Sequence, residues 1–194
     1  MGREKQFDVQ DALEKALECF WAQGYEATSM SSLLGEMGIN RGSFYDTFES
    51  KKGVFLEALR RYDQKYRRDW LHGIKREVSP RAAILKLFET VLEEAMGDRG
   101  SLGCFLVNTA LEMANRDPEI REIVDHSFAD TRAFFSEMVK QGRKRGEIAG
   151  GQEPDQLARA LMALLLGMRV LAKTSADPDD LRDLLGQVER LLDG

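Results

Sequence analysis

Apolar residues recur at steps of three and four along most of this 194-residue chain, and this period constrains its fold more than any other feature. The first periodic segment carries Val9, Leu13, Ala16, Leu17 and Phe20. Such spacing places apolar side chains on one face of an α-helix. No segment alternates convincingly between apolar and polar residues, as a half-buried strand would, and only 4 prolines interrupt the chain. The sequence therefore predicts an all-α protein.

Gly, Pro and Asp residues divide the periodic segments into about nine predicted helices. The second and third predicted helices are short and the fourth is long, and the sequence pattern changes beyond Pro80. The predicted helices begin near Asp8, Thr28 or Ser29, Arg41, Ser50, Pro80, Cys104, Asp117, Pro154 and Asp177. We expect a three-helix N-terminal domain over residues 1–52 and a helical bundle over residues 53–194, connected by the helix that starts near residue 50.

Residues 24–52 hold two short predicted helices around a single glycine, Gly38, with only a brief turn between them. This is the layout of a helix-turn-helix. Five apolar side chains are predicted to fix the angle between the two helices: Leu33, Met37, Ile39, Phe44 and Phe48. The outward positions of the later helix are small or polar, as entry into a DNA major groove requires: Arg41, Gly42, Ser43, Tyr45, Asp46 and Thr47.

The groups that flank the two helices also suit DNA. Thr28 and Ser29 lie where backbone N–H groups at a helix start can meet a phosphate. Lys51 and Lys52 fall in the first turn of the fourth helix, where the helix dipole disfavours a cation, so phosphate contact is a plausible use for them. A plain helical hairpin inside a bundle is the alternative, with these lysines merely solvated.

Net charge argues mildly against a nucleic-acid partner. The chain carries a formal charge of -5, and its first 52 residues hold six basic against nine acidic side chains. A DNA-binding hypothesis therefore depends on where the few cations fall, with Arg41 as the candidate for a guanine edge, and on dimerisation to double them.

The stretch from Gly24 to Lys52 resembles the N-terminal signature of the TetR/AcrR family of regulators. The matching positions are Gly24, Tyr25, Thr28, Ser29, Gly38, Ser43, Tyr45, Phe48 and Lys51. The resemblance implies a DNA-binding transcriptional repressor that a small molecule or an electrophile releases from a double-stranded operator. It also implies that the DNA contacts come from Thr28, Ser29, Arg41, Gly42, Ser43, Tyr45, Thr47 and Lys51.

The eighth and ninth predicted helices carry more apolar surface than one contact face needs. The ninth has a stripe through Leu184 and Val188, and the eighth is apolar nearly all round, with Ala160, Ala163 and Gly167 small enough for close approach. An ordinary core explains this pattern. The family resemblance implies instead a homodimer formed through these two helices.

The same resemblance implies a ligand site inside the C-terminal bundle, for a small-molecule effector that the sequence does not identify. Candidate lining residues are Phe88, Leu92, Met96, Cys104, Phe105, Asn108, Glu112, Phe128, Phe135, Met162 and Arg169. Phe and Met at helical spacing are more often plain core. Polar side chains on apolar faces favour a site, because a buried polar group needs a partner or a ligand.

Cys104 follows a Gly-Ser-Leu-Gly segment at a predicted helix start, where backbone N–H groups can stabilise a thiolate. Residues 103–108 are similar to a Gly-Cys-aliphatic stretch in one TetR subgroup, some members of which sense electrophiles or metals through cysteine. A small buried residue with no sensing role is the alternative, and the sequence leaves both open.

Other classes of protein find no support in the sequence. The 2 cysteines and 2 histidines are not at metal-ligand spacing, and no phosphate loop or Ser-His-Asp set is present, so we expect no metal, no cofactor and no enzyme. The longest apolar stretch is too short to cross a membrane, and Met1–Gln6 leads into a charged segment without a signal-peptide core. We therefore expect a cytoplasmic protein.

Overall fold

The computed structural model describes residues 7–174 and 177–194, and within these ranges every regular element is helical. The Met1–Gln6 segment considered above lies outside the described residues. The elements are α1 (Val9–Gln23), α2 (Met30–Met37), α3 (Arg41–Phe48), α4 (residues 51–77), α5 (Pro80–Met96), α6 (Phe105–Met113), α7 (Pro118–Lys144), α8 (Pro154–Lys173) and α9 (Pro178–Asp193). The prediction of an all-α chain with about nine helices is confirmed. None of the described helices is long and apolar enough to cross a membrane.

The α4 helix is continuous but not uniform. It consists of an α-helical part Lys51–Tyr62, a π-helical part Asp63–Arg68 and a second α-helical part Asp69–Glu77. Single π-helical turns inside α-helices are rare and are frequent at functional sites. A 3₁₀ turn, Gly100–Leu102, precedes α6.

Local side-chain caps set the ends of the first four helices. The Ser29 hydroxyl accepts from the backbone N–H of Ser32 at 3.0 Å, so Ser29, rather than Thr28, caps α2. Asn40 and Ser50 cap α3 and α4 in the same way, and both helices begin where the sequence predicts. Gly38 ends α2 in the left-handed region, with φ 68° and ψ 29°, a conformation that glycine adopts without a steric cost.

Two apolar cores fill the protein. The first lies among α1–α4 and is closed by side chains of α6 and α7, including Phe55 against Phe105 at a ring-centroid distance of 5.6 Å. The second lies among the end of α4 and α5, α7, α8 and α9. Because α4 contributes to both cores, it ties the helix-turn-helix to the bundle.

A close approach of α3 to α4 requires glycine at position 53. A Cβ atom there would lie 2.3 Å from the carbonyl oxygen of Phe48. By contrast, a Cβ atom at Gly35, in α2, would meet nothing within 4 Å.

We expect Gly53→Ala to lower the free energy of unfolding by about 1–3 kcal/mol, because the added methyl group overpacks the contact with the α3 terminus. Gly35→Ala is the matched control and is expected to leave the stability unchanged or raise it, since alanine favours a helix. Urea unfolding followed by circular dichroism measures both. Equal stability of Gly53→Ala and wild type would contradict the close approach.

Candidate DNA interface and ligand cavity

The α3 helix presents a polar side to solvent and an apolar side to the first core. Arg41, Gly42 and Asp46 are exposed, and Tyr45 is 40% exposed. Phe44 is fully buried. Of the five apolar residues predicted to set the angle between α2 and α3, Leu33, Met37, Phe44 and Phe48 are buried and Ile39 is half-buried. The polar side is thus free to enter a groove while the apolar side anchors the helix.

Arg41 and Tyr45 are neighbours on the exposed side. The guanidinium carbon of Arg41 lies 5.7 Å from the centroid of the Tyr45 ring, within the range of a cation–π contact. The Tyr45 ring meets the edge of buried Phe44 at a centroid distance of 5.3 Å. These contacts hold a cation and a phenol at the surface of the helix that would face DNA.

Two predicted DNA-contact residues are placed differently from the expectation. Thr28 is fully buried, and its hydroxyl donates to the carbonyl of Gly24 at 2.6 Å. Its side chain therefore offers no surface to DNA, which corrects the predicted contact. Thr47 is half-buried, and its hydroxyl is covered and has no hydrogen-bond partner among the described residues. Ser29 remains exposed beside the α2 start.

The structure separates the two lysines at the start of α4. Lys52 forms an ion pair with Asp117 at 2.7 Å and a second with Glu119, both at the start of α7. Its hydrogen bond to Asp117 raises the pKa of Lys52. The Lys51 ammonium instead lies 4.5 Å from the centroid of the Tyr25 ring. Lys51 is therefore the lysine left without a carboxylate partner in the described chain.

A cavity of about 90 Å³ lies in the bundle, between α4, α5, α6, α7 and α8. Four of the predicted ligand residues line it: Cys104, Phe128, Met162 and Arg169. Sequence reasoning missed most of the other polar and aromatic lining residues, among them Tyr62, Tyr66, Arg67, Trp70, Thr90, Glu94 and Thr131. Tyr62, Tyr66 and Trp70 recur every four residues on α4. This spacing in the sequence was the signal that could have identified the α4 wall of the cavity.

The other predicted ligand residues do not line this cavity. Phe88 and Phe135 stack on each other inside the second core, with ring centroids 5.9 Å apart. Phe105 belongs to the first core, Leu92 packs at the margin of the second, and Met96 is 58% exposed.

The two polar candidates on α6 are likewise satisfied by the protein. Asn108 donates its side-chain amide to the carbonyl of Leu102 at 2.8 Å. The Glu112 carboxylate accepts the backbone N–H groups of Tyr25 and Glu26, at 3.1 and 2.9 Å. These hydrogen bonds pair both polar groups within the chain, and Asn108 and Glu112 also line a second pocket between α1, α6 and α8.

Polar groups inside the cavity form two pairs. The Tyr62 hydroxyl donates to the Cys104 sulfur at 3.6 Å. Burial, and secondly the neighbouring Cys104, raise the pKa of Tyr62 well above its ordinary value, so it stays a neutral donor. Arg169, which also lines the cavity, forms an ion pair with Glu94.

Comparison with known proteins agrees with this architecture. Residues 12–58 match the family model for bacterial regulatory proteins of the tetR family, and residues 80–187 match the model for a tetracyclin repressor-like C-terminal domain. The uncharacterized HTH-type transcriptional regulator YezE of Bacillus subtilis is 31% identical over 94% of this chain and 95% of its own. The HTH-type transcriptional repressor ComR of Escherichia coli is 28% identical over 98% of this chain and 91% of its own.

A solved structure extends the similarity to a DNA complex. A cysteine mutant of the TetR family regulator CifR, complexed with 26-bp double-strand operator DNA, superposes with a TM-score of 0.82 at 29% identity. The match covers 98% of both chains. Both family models match in order along the chain, and a relative is 31% identical over 94% of it. The chain therefore belongs to the TetR family of bacterial regulatory proteins and is a DNA-binding transcriptional regulator, not an enzyme.

Proposed function

We propose that the chain is a repressor that binds a double-stranded operator as a homodimer and leaves it when a small molecule or an electrophile reaches the bundle cavity. The exposed polar side of α3, anchored by buried Phe44 and Phe48, is the observation that carries this proposal. The repressor ComR and the operator complex of CifR support it as relatives of the same architecture. Residues 1–52 would read DNA and residues 53–194 would sense and dimerise.

The DNA contacts proposed are those of the exposed surface. They comprise Ser29, Arg41, Gly42, Ser43, Tyr45 and Lys51, with only the uncovered part of Thr47 and no side-chain contact from Thr28. Arg41 would read a base edge from the α3 N-terminus. Lys51 would meet a phosphate, because α4 begins beside the α3 terminus and the Lys51 ammonium is not held by a carboxylate.

We expect Lys51→Ala to weaken binding to a duplex selected from a random pool by the wild-type protein. Each lost phosphate contact reduces the magnitude of the negative slope of log K against log salt by about 0.9, so a dimer that loses two contacts should lose about 1.8 of that magnitude. Fluorescence anisotropy at salt concentrations between about 50 and about 200 mM measures the slope, because DNA affinity changes strongly over this range.

Lys52→Ala is the matched control, because it removes the same charge from a lysine engaged by Asp117 and Glu119. Its salt slope should stay near that of wild type. An unchanged slope in Lys51→Ala, or equal losses in both variants, would show that Lys51 does not contact phosphate.

The dimer surface proposed is the outer face of α8 together with α9. Ala163, Gly167, Val170 and Leu171 are all exposed on α8, at spacings of three and four residues. The α9 stripe is partly used within the subunit, since Val188 and its buried neighbours pack in the second core while several leucines remain half-buried. The outer α8 face therefore supplies the apolar area that a second copy would cover.

Gly167→Gln should reduce dimerisation without unfolding the subunit, because a Cβ atom at this position meets nothing within 4 Å among the described residues. A long polar side chain would prevent close approach of a partner helix. Analytical ultracentrifugation at micromolar concentration measures the change. Gly35→Gln is the helical control, with the same open surroundings on α2, and should remain dimeric. A Gly167→Gln dimer as tight as wild type would rule out this face.

The proposed response to electrophiles depends on Cys104. Its sulfur lines the cavity and accepts a hydrogen bond from the Tyr62 hydroxyl. The other cysteine, Cys19, is buried in the first core, and burial raises its pKa. The two thiols therefore differ in access and in surroundings.

N-ethylmaleimide should alkylate Cys104 first and reduce operator affinity at least about tenfold, a loss of about 1.4 kcal/mol. The sulfur forms a bond to one carbon of the maleimide double bond. The proton lost from the thiol is balanced by a proton gained at the other carbon of that bond. Peptide mass mapping locates the adduct and anisotropy measures affinity. Cys104→Ser should resist the reagent, whereas Cys19→Ser should respond as wild type does. Loss of operator affinity when Cys104→Ser is treated with N-ethylmaleimide would refute the assignment of the response to Cys104.

A further inference from the structure

The side of α3 that faces away from the first core carries a carboxylate. Phe44 and Phe48 anchor α3 in that core, and Asp46 lies two residues from each of them. Two residues are about half a turn of an α-helix, so Asp46 lies on the opposite side, where it is exposed. A helix that enters a DNA groove by its outward side therefore brings this anion toward the base edges.

Gly42 allows α3 to come close to DNA beside this carboxylate. It lies four residues before Asp46, and residues at this spacing are neighbours on one helix face. Gly42 is exposed and carries no side chain, so it adds no bulk between this face and a groove. A close approach of the helix lets a side chain as short as aspartate reach a base edge.

The described residues offer Asp46 no cation. Within them it takes part in no ion pair. The carboxylates of the N-terminal domain that do form ion pairs are Asp11, Glu14, Glu18 and Glu26. Arg41 and Lys51, the cations proposed to meet DNA, lie over the rings of Tyr45 and Tyr25 instead. The Asp46 carboxylate is therefore free to accept a hydrogen bond from DNA.

Few groups in a major groove can pair with an anion. The phosphates and the acceptor atoms of guanine and thymine repel a carboxylate, whereas the amino groups of cytosine and adenine donate to one. Adenine also presents its N7 acceptor beside the amino group, and this acceptor repels the second carboxylate oxygen. Cytosine itself presents no acceptor in this groove. A carboxylate on the outward side of a reading helix therefore favours cytosine.

We propose that Asp46 selects a cytosine in each half of the operator by accepting a hydrogen bond from its N4 amino group. The inference adds a residue that determines base specificity, and it rests on the reading of DNA by α3 proposed above. An anion that only weakened binding would act on every duplex alike, because all duplexes carry the same phosphates. The two roles therefore differ in base preference.

The first test compares the duplexes that wild type and Asp46→Asn select from one random pool. The substitution is nearly isosteric at an exposed position, so the fold should be kept. Asn pairs with N6 and N7 of adenine, so one position in each half-site should change from cytosine to adenine and the others should stay. Identical preferences of the two proteins at every position would overturn the proposal, whether the affinity of the variant rises or falls.

Glu49→Gln is the matched control for the loss of charge. Glu49 is also exposed but lies just beyond the end of α3, so this variant removes a carboxylate from the same surface and leaves Asp46 in place. It should keep the wild-type base preference and bind all duplexes somewhat more tightly, because repulsion from the phosphates falls. A change from cytosine to adenine in Glu49→Gln as well would show that charge alone sets the preference, and would overturn the role of Asp46.

A base analogue tests the single hydrogen bond. Pyrimidin-2-one lacks the N4 amino group and replaces the selected cytosine in one half-site, and fluorescence anisotropy measures the affinity for both duplexes. Wild type should lose about tenfold on this replacement, the size expected for one hydrogen bond to a charged group. Asp46→Ala should bind the two duplexes equally, since it has no acceptor to lose. An equal loss in both proteins would overturn the assignment to Asp46.

The results separate this inference from the proposed function. Binding of wild type to a selected duplex and the salt slope of Lys51→Ala test whether this surface reads DNA. If both results are as expected and Asp46→Asn keeps the wild-type base preference, only the role of Asp46 fails. If wild type selects no duplex from the pool, both proposals fail.

Discussion

The two hydrogen bonds that the backbone N–H groups of Tyr25 and Glu26 donate to the Glu112 carboxylate join the two halves of the protein. The turn after α1 leaves these N–H groups without helical partners, and a side chain from the bundle satisfies both. Gly24 permits the approach, since a Cβ atom there would lie 3.0 Å from a Glu112 oxygen. These bonds therefore fix the position of α2 relative to α6, and α3 is positioned through α2.

The α6 helix runs from the cavity to that turn. Cys104 precedes its first turn at the cavity wall, and Glu112 lies near its other end. A nearby contact, in which the Trp21 indole donates to the carbonyl of Gly103 at 2.9 Å, fastens α1 to the start of the same helix. Because α6 is short and held at both ends, a ligand that displaces its cavity end must also move the turn or break these bonds. This gives the proposed effector site a physical route to the DNA-binding helices.

The parts of the fold that sequence predicts are those set by local interactions. The Asn40 and Ser50 caps and the left-handed Gly38 act within a few residues, so the helix-turn-helix could be derived from spacing alone. Ligand residues could not be derived in this way. Phe88 and Phe135 have the right chemistry, but membership of the cavity depends on which helix faces meet, and these two rings meet each other.

Charge shows the same division between local and tertiary information. Lys51 and Lys52 are equivalent in sequence, yet Asp117 and Glu119 from α7 neutralise only Lys52. Arg41 and Lys51 are then offset at this surface by exposed Asp46 and Glu49, so simple charge attraction to DNA is weak for one subunit. If two copies bind together as proposed, the affinity for an operator depends on shape, on donors at helix starts and on that pairing of subunits.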